Sequence, residues 1–324
     1  MTNPYYYLDM IRQLDIRPGS LVVVTADLTR LALAGRRLEI GFSIDNFIDT
    51  IKQCLGKGGT LVIPSFNFNL GNGDHYDPLK TIPITGALAV AALKRPEFIR
   101  TKHPLHSFLA WGEHAEALAA LNNKSSFAAD SPFAYFREHG GIMLLIDSTI
   151  TDAFTFVHHV EEMEGVGYRR YRRIWVNVEE AGKHGGMEAG RHGGMGAWRQ
   201  GGMGAWRHGG MEAWRHGSGE EEMGGREVLL YAKKAGWTMD LRGLENLLFE
   251  RNAAKKILYK QVTFTLVDLQ AAYPVIQDDI RHNKARNLAR FSPDLYLRET
   301  AKSVLGAFGI HTLADKISHD PGLL

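Results

Sequence analysis

The chain has 324 residues, 44% of them apolar and 23% charged, the make-up of a globular protein long enough to bury a large core. Its 38 basic residues stand against 36 acidic ones, a net +2, so no overall field draws it to nucleic acid. The single cysteine, Cys54, excludes an intrachain disulfide and fits a reducing compartment. The start lacks the basic and apolar regions of a signal peptide, no apolar run nears the ~20 residues of a membrane helix, and the cytoplasm is the expected location.

Tyr5 to Leu14 has helical spacing, with Tyr7, Leu8, Ile11 and Leu14 on one side. Pro18-Gly19 turns the chain. Ser20 to Thr25 and Thr60 to Pro64 are apolar on both faces, which predicts buried strands of a parallel sheet. Between them Ser43 starts a helix that runs through Phe47 and Ile51 to Leu55, and Gly56-Lys-Gly-Gly59 ends it. The second strand opens into Ser65-Phe-Asn-Phe-Asn69 and a loop carrying Gly71, Gly73, Asp74, His75 and Asp77. Strand–helix–strand order of this kind predicts a doubly wound α/β layer, with ligands beyond the carboxyl ends of the strands.

A short helix follows over Ile84 to Leu93. Arg100-Thr-Lys-His103-Pro-Leu-His106-Ser107 then packs cations, imidazoles and a hydroxyl before an apolar run. Arg100, Lys102 and His103 together would grip a phosphate or carboxylate; a polar loop feeding a strand would carry the same residues. Glu113 to Leu121 is helical, Ser131-Pro132 starts another helix, and Gly140-Gly141 ends it. Ile142 to Ile146 is a third buried strand.

After that strand comes Thr155-Phe-Val-His-His-Val-Glu-Glu162. As a helix it puts His158 and Glu161 on one face and His159 and Glu162 on the next, with Thr155 placed to cap it. An imidazole held by a carboxylate makes a general base. Taken alone, His-x-x-Glu is as often the mark of a structural, half-buried ring, and either histidine could serve. Tyr168-Arg-Arg-Tyr-Arg-Arg173 and Ile174 to Val178 predict a strand with a solvated, basic edge.

Residues 183–217 differ in kind. They repeat the octapeptide R-H-G-G-M-E-A-W, with units starting at Lys183, Arg191, Arg199, Arg207 and Arg215. A period of eight fits neither a straight helix nor a heptad coil, and the Gly-Gly pairs would break both. Histidines at 184, 192, 208 and 216 invite a metal, but Gln200 interrupts the series and the spacing is not that of a zinc site. The stretch is expected to be a disordered surface insertion within one domain spanning 1–324. Beyond it, Val228 to Ala232 and Val262 to Val267 predict strands. Leu241 to Asn252 predicts a helix, Leu269 to Arg281 a helix broken at Pro274, and Lys284 to Ala289 and Ser292 to Phe308 a helical end. No phosphate loop, dinucleotide fingerprint or nucleophile elbow occurs.

Five motifs in order resemble the aminoglycoside 3-N-acetyltransferase family. They are Gly58-Gly-Thr-Leu-Val-Ile-Pro64, Tyr76-Asp77, the Arg100-to-Ser107 stretch, Ser131-Pro132, and Thr155-x-x-His158-x-x-Glu161. The family also holds sugar-nucleotide N-acyltransferases of surface-polysaccharide pathways, and the Ser65–Phe68 loop and the Thr-Lys-His-Pro-Leu-His-Ser stretch look closer to that branch. The resemblance implies a three-layer α/β/α fold of the family's own type and a coenzyme A thioester as co-substrate with no metal. It also implies an acyl acceptor that is an amine of an amino sugar, in antibiotic resistance or polysaccharide biosynthesis, and a monomer or homodimer without nucleic acid or membrane.

The implied catalytic residues are His158 as base, Glu161 as its partner, and Thr155 as oxyanion donor through its hydroxyl or backbone N–H. Thr25, Asp27, Arg100, Lys102 and Ser107 would hold the coenzyme; Asn67, Asp77 and His103 would line the acceptor pocket. One departure stands out: the family's Val-His-Ser-Ser after the first strand is Val24-Thr25-Ala26-Asp27 here. A non-catalytic coenzyme A or sugar-binding protein on the same fold is the alternative. A cationic loop at the site favours a nucleotide-linked sugar over an aminoglycoside.

Overall fold

A computed structural model describes residues 4–37, 41–179 and 225–307; the octapeptide repeat at 183–217 lies outside them. In chain order come α1 (Pro4–Arg12), β1 (Leu21–Ala26), α2 (Thr29–Arg37), α3 (Ile44–Leu55), β2 (Thr60–Pro64), β3 (His75–Tyr76), α4 (Ala87–Leu93), β4 (Ile99–Arg100) and β5 (Phe108–Gly112). Then follow α5 (Ala115–Ala120), α6 (Pro132–Glu138), β6 (Ile142–Ile146), α7 (Ile150–Ala153), α8 (Val157–Met163) and β7 (Arg169–Val178). The rest comprises β8 (Arg226–Lys233), β9 (Trp237–Met239), α9 (Arg242–Glu250), β10 (Ala254–Tyr259), β11 (Val262–Asp268), α10 (Leu269–Asn283), β12 (Ala289–Phe291) and α11 (Pro293–Ala307).

The main sheet has seven strands in the order β10-β11-β6-β1-β2-β5-β4. Side chains alternate across its central strands, and both faces are covered. Val22, Val24, Leu61, Ile63, Leu144 and Ile146 pack on one side with Phe47, Ile48 and Ile51 of α3. Leu21, Val23, Val62, Met143 and Leu145 pack on the other with Phe133 and Phe136 of α6, Val157 and Val160 of α8, and Ala272 and Ile276 of α10. The result is the expected α/β/α sandwich. Smaller sheets, β3-β7-β8 and β9-β12, lie apart from it.

The sheet is mixed rather than wholly parallel. Only the pairings of β1 with β2 and with β6 are parallel; β2–β5, β5–β4, β6–β11 and β11–β10 are antiparallel. The parallel trio is what positions the site. Its register pairs Thr25 with Leu145 and Ala26 with Ile146, so the loops leaving the carboxyl ends of β1, β2 and β6 emerge at one edge.

Several local expectations change. Helix α8 starts at Val157, and its N-cap, Phe156, makes no side-chain cap. Thr149 caps the preceding short helix α7 instead, accepting from the Asp152 N–H. Pro274 does not break α10, which runs through it. Lys284 sits in the left-handed region at the C-cap of α10, and the segment after it ends in β12, not in a helix. Tyr168 and Arg169, expected on a solvated strand edge, are 6% and 9% exposed. Their neighbours Arg170 and Tyr171 are exposed, and Ile174 and Val176 alternate inward farther along β7.

Candidate active site

The chain leaves β6, makes the single turn of α7, and enters α8 through Phe154-Thr155-Phe156. Phe154, Phe156, Val157 and Val160 are buried and pin this turn to the core. The pinning fixes what the opposite face of α8 presents. His158 is 23% exposed at its side chain, while Glu161, one turn on, is completely buried.

His158 Nδ1 lies 2.7 Å from Glu161 Oε2. The Tyr168 hydroxyl donates to Glu161 Oε1 at 2.7 Å, and Arg169 Nε is 2.6 Å from Oε2. Burial alone would raise the Glu161 carboxyl, but Arg169, His158 and Tyr168 hold it below its ordinary value, so it stays ionised. Burial, with Arg169 adding to it, pushes His158 below its ordinary value against the pull of Glu161. At neutral pH the ring is therefore unprotonated overall. A carboxylate only accepts, so the Nδ1–H donates to Glu161 and the Nε2 lone pair is left for a substrate. Arg169 also reaches 2.8 Å from Nδ1; that atom cannot both donate to Glu161 and accept from Arg169. The carboxylate carries full charge, and its bond is the stronger of the two.

Two cavities with partly shared lining lie on this side of the sheet, and His158 lines the larger. A cleft of about 310 Å³ is lined by Phe66, Phe68, His106, Thr151 to Thr155, His158, Met239 and Leu241. A narrower cavity of about 80 Å³ lies at the strand ends, between Val24-Thr25-Ala26, Ile63-Pro64 and Ser148. Phe66, Ala153 and Thr155 line both. Thr25 lines the narrow cavity, and its hydroxyl oxygen is buried without a hydrogen-bond partner, which a protein ordinarily avoids.

The other candidate residues divide. Thr155 stands at the junction of the cavities, but its N–H already donates to Ala153 at 2.9 Å, which leaves its hydroxyl, 3.4 Å from the same carbonyl. Asp27 caps the turn into α2 by accepting from the Thr29 N–H. Arg100 is buried and spends its five donors inside the protein, on Ser65, Ser107, Asn67 and the carbonyls of Pro78 and Thr81, so nothing remains for a phosphate. Ser107 and Asn67 belong to that buried network, Asn67 also donating to the Ile82 carbonyl. Asp77 accepts from the Leu79 and Lys80 N–H groups and pairs with Lys80. Lys102 is exposed and donates to the Ala120 carbonyl. His103 is buried behind His106. His159 is buried too, its ring bonded to the Phe127 carbonyl, and burial lowers it to about 4.

Sequence reasoning missed Tyr168 and Arg169 as partners of Glu161 and did not place His106 in the cleft. Strand period was the available signal: Arg169, like Tyr171 and Arg173, sits on the parity opposite to Ile174 and Val176, so alternation alone would have turned it outward. Only packing against Tyr231, whose carbonyl accepts from Arg169 at 2.9 Å, turns it in.

An imidazole backed by a carboxylate and lining a cleft is an arrangement suited to general-base chemistry. A family model, aminoglycoside 3-N-acetyltransferase, matches residues 39–189. Aminoglycoside N(3)-acetyltransferase VII of Streptomyces paromomycinus is 28% identical over 147 residues, 39% of this chain and 51% of that protein. Aminoglycoside N(3)-acetyltransferase IV of Salmonella is 31% identical over 166 residues, 50% of this chain and 59% of its own. The chain thus spans a little over half the length of these curated relatives. Among solved structures, the aminoglycoside acetyltransferase AAC(3)-IVa apoenzyme superposes with a TM-score of 0.60 at 18% identity, covering 88% of this chain and 90% of that one. AAC-IIIb, in binary complex with CoASH, superposes with a TM-score of 0.61 at 18% identity, covering 87% and 97%. Over residues 39–189 the chain is similar to the aminoglycoside 3-N-acetyltransferase family, and its fold is that of the solved aminoglycoside acetyltransferases.

Proposed function

We propose that the protein transfers an acetyl group from acetyl-coenzyme A to an amine of an aminoglycoside, with His158 as general base. The observation that carries this reading is the His158–Glu161 pair, with His158 lining the larger cleft. The amine nitrogen attacks the thioester carbon while His158 Nε2 takes its proton. Collapse of the tetrahedral intermediate breaks the C–S bond, and the proton passes from His158 to the departing sulfur. The products are an amide and the free thiol. Buried, ionised Glu161 stabilises the imidazolium formed between these steps.

The coenzyme's path follows the sheet edge. Its pantetheine arm is assigned to the narrow cavity lined by Thr25 and Thr155, with its thioester toward Thr155. Its phosphates fit a third depression, about 440 Å³, lined by Arg30, Arg37 and Lys260. Arg30 is 3.6 Å from Asp147, and Ser148, the next residue, lines the pantetheine cavity.

An aminoglycoside is favoured over a nucleotide-linked sugar for two reasons. The curated relatives are named for aminoglycosides. The cationic loop that argued for a nucleotide sugar also loses force, because Arg100 has no free donor and burial lowers His103 to about 3. Asp152, which lines the cleft, suits a polycation. The test is thiol release from acetyl-coenzyme A with a panel of aminoglycosides and of nucleotide-linked amino sugars. We expect turnover on aminoglycosides; turnover confined to nucleotide sugars would overturn the acceptor, and none on either would favour a non-catalytic binding protein.

A further inference from the structure

We propose that His106 is a second functional imidazole of the cleft: a neutral Nε2–H donor, fixed in that tautomer by a buried His103–Ser126 relay, that hydrogen-bonds the oxyanion formed on the thioester oxygen. This rests on the acyl-transfer reading above and extends it to a residue with no role there.

The backbone N–H of His106 donates to His103 Nδ1 at 3.2 Å. That nitrogen must therefore carry a lone pair, and the proton of neutral His103 is on Nε2. His103 Nε2 lies 3.4 Å from Ser126 Oγ, which accepts from it. Ser126 Oγ lies 2.8 Å from His106 Nδ1. Were His106 to donate here as well, the serine proton, in a side chain only 1% exposed, would lack an acceptor among these partners, at the cost of a buried unsatisfied group. The hydroxyl therefore donates to His106 Nδ1, and the His106 proton sits on Nε2. Three buried residues thus pass one direction of donation from a backbone amide to the ring that lines the cleft.

The ring cannot swing away. Phe66, at 4.9 Å between centroids, and Phe127, at 4.8 Å, clamp its faces and edges. Phe127 also packs on His158 at 5.3 Å, so the two imidazoles flank one phenyl ring. Phe66 lines both cavities, which places His106 beside the point where a thioester would emerge. The charged and titratable groups facing it are His103, His158 and Arg169. With burial they all push His106 well below its ordinary value, so the ring keeps a single proton at working pH. The chemistry needs such a group: the oxyanion requires a donor, and the Thr155 N–H is already committed to Ala153.

The division of labour is then complete. His158, bonded to a carboxylate through Nδ1, offers a lone pair at Nε2. His106, bonded to a hydroxyl proton through Nδ1, offers a proton at Nε2. His106 is a catalytic residue in this account; Ser126 and His103 are positioning residues acting through it.

The tautomer can be read without any substrate, by ¹⁵N imidazole NMR of the full chain. His106 should give the Nε2–H pattern at pH 7 and still not titrate at pH 5.5. An Nδ1–H pattern, or protonation near pH 6.5, would overturn the proposal while leaving the role of His158 untouched. In kinetics with acetyl-coenzyme A and an accepted amine, His106→Ala should lower kcat about 10²–10³-fold with little change in either KM. His106→Gln, which keeps an N–H near Nε2, should recover at least tenfold of that. A rise in the amine's KM at unchanged kcat would instead make His106 a binding group and refute the oxyanion role. Ser126→Ala should give a mixed tautomer signal; an unchanged one would remove the relay.

Discussion

Arg169 makes two opposed demands on the catalytic pair. It holds Glu161 ionised, which helps His158 accept a proton, and its charge also disfavours the imidazolium directly. With burial the larger cause and Arg169 adding to it, His158 lies below its ordinary value, so the neutral form, the one proposed to act as base, is present above about pH 6.5 and is lost as pH falls through the lower folded value. In Arg169→Gln the depressing charge is gone and Glu161 remains. The acid limb of kcat/KM should then move up by roughly one pH unit. A limb that stays in place would mean that Arg169 serves packing alone. His158 and Glu161 were legible in the sequence because a three-residue separation on a helix is a local rule. Arg169 was not, because its partners Glu161, Tyr231 and Met239 come from separate elements, which no local period records. His106 fell between these cases. Its position in a dense polar stretch was visible, but which of two histidines faces a cavity depends on Ser126 and Phe127 from a distant loop.

At the scale of elements, the antiparallel pairing of β7 and β8 bears on the repeat that lies between them in the sequence. The register pairs Val176 with Arg226, so the chain leaves and re-enters the described structure at neighbouring points. Deleting residues 183–217 leaves connecting residues on both sides, and each halving of such a loop returns only about 0.6 kcal/mol of closure entropy. The deletion variant should therefore melt within a few degrees of the parent and keep its turnover. A fall in melting temperature beyond about 5 °C, or loss of soluble protein, would mean the repeat packs on the domain. The three parallel strands were legible as doubly apolar runs. Of the flanking antiparallel strands β11 was legible too, as Val262 to Val267, but β4 and β10 were not: β4 has two residues and β10 reads Ala-Lys-Lys-Ile-Leu-Tyr, with charged positions that an edge strand tolerates but that mask its period.

At the scale of the whole molecule, the parallel trio gathers a cationic depression, a narrow cavity with an orphaned hydroxyl, and a cleft with a paired imidazole along one sheet edge. The five motifs marked this edge in the sequence, but they assigned several roles differently from the geometry. The Arg100-to-Ser107 stretch supplies a buried network that shapes the loop around Phe66, and Arg30, Arg37 and Lys260, which no motif singled out, line the third depression. Periodicity finds what is buried in regular elements; it does not tell a buried, saturated guanidinium from a free one. The central claim is that His158 accepts the amine proton during acyl transfer. It is tested by comparing wild type and His158→Ala for thiol release with acetyl-coenzyme A and an accepted aminoglycoside, alongside coenzyme A binding by calorimetry. The account predicts a loss of roughly 10²–10⁴-fold in kcat with coenzyme A affinity unchanged; turnover near that of the wild type would contradict it.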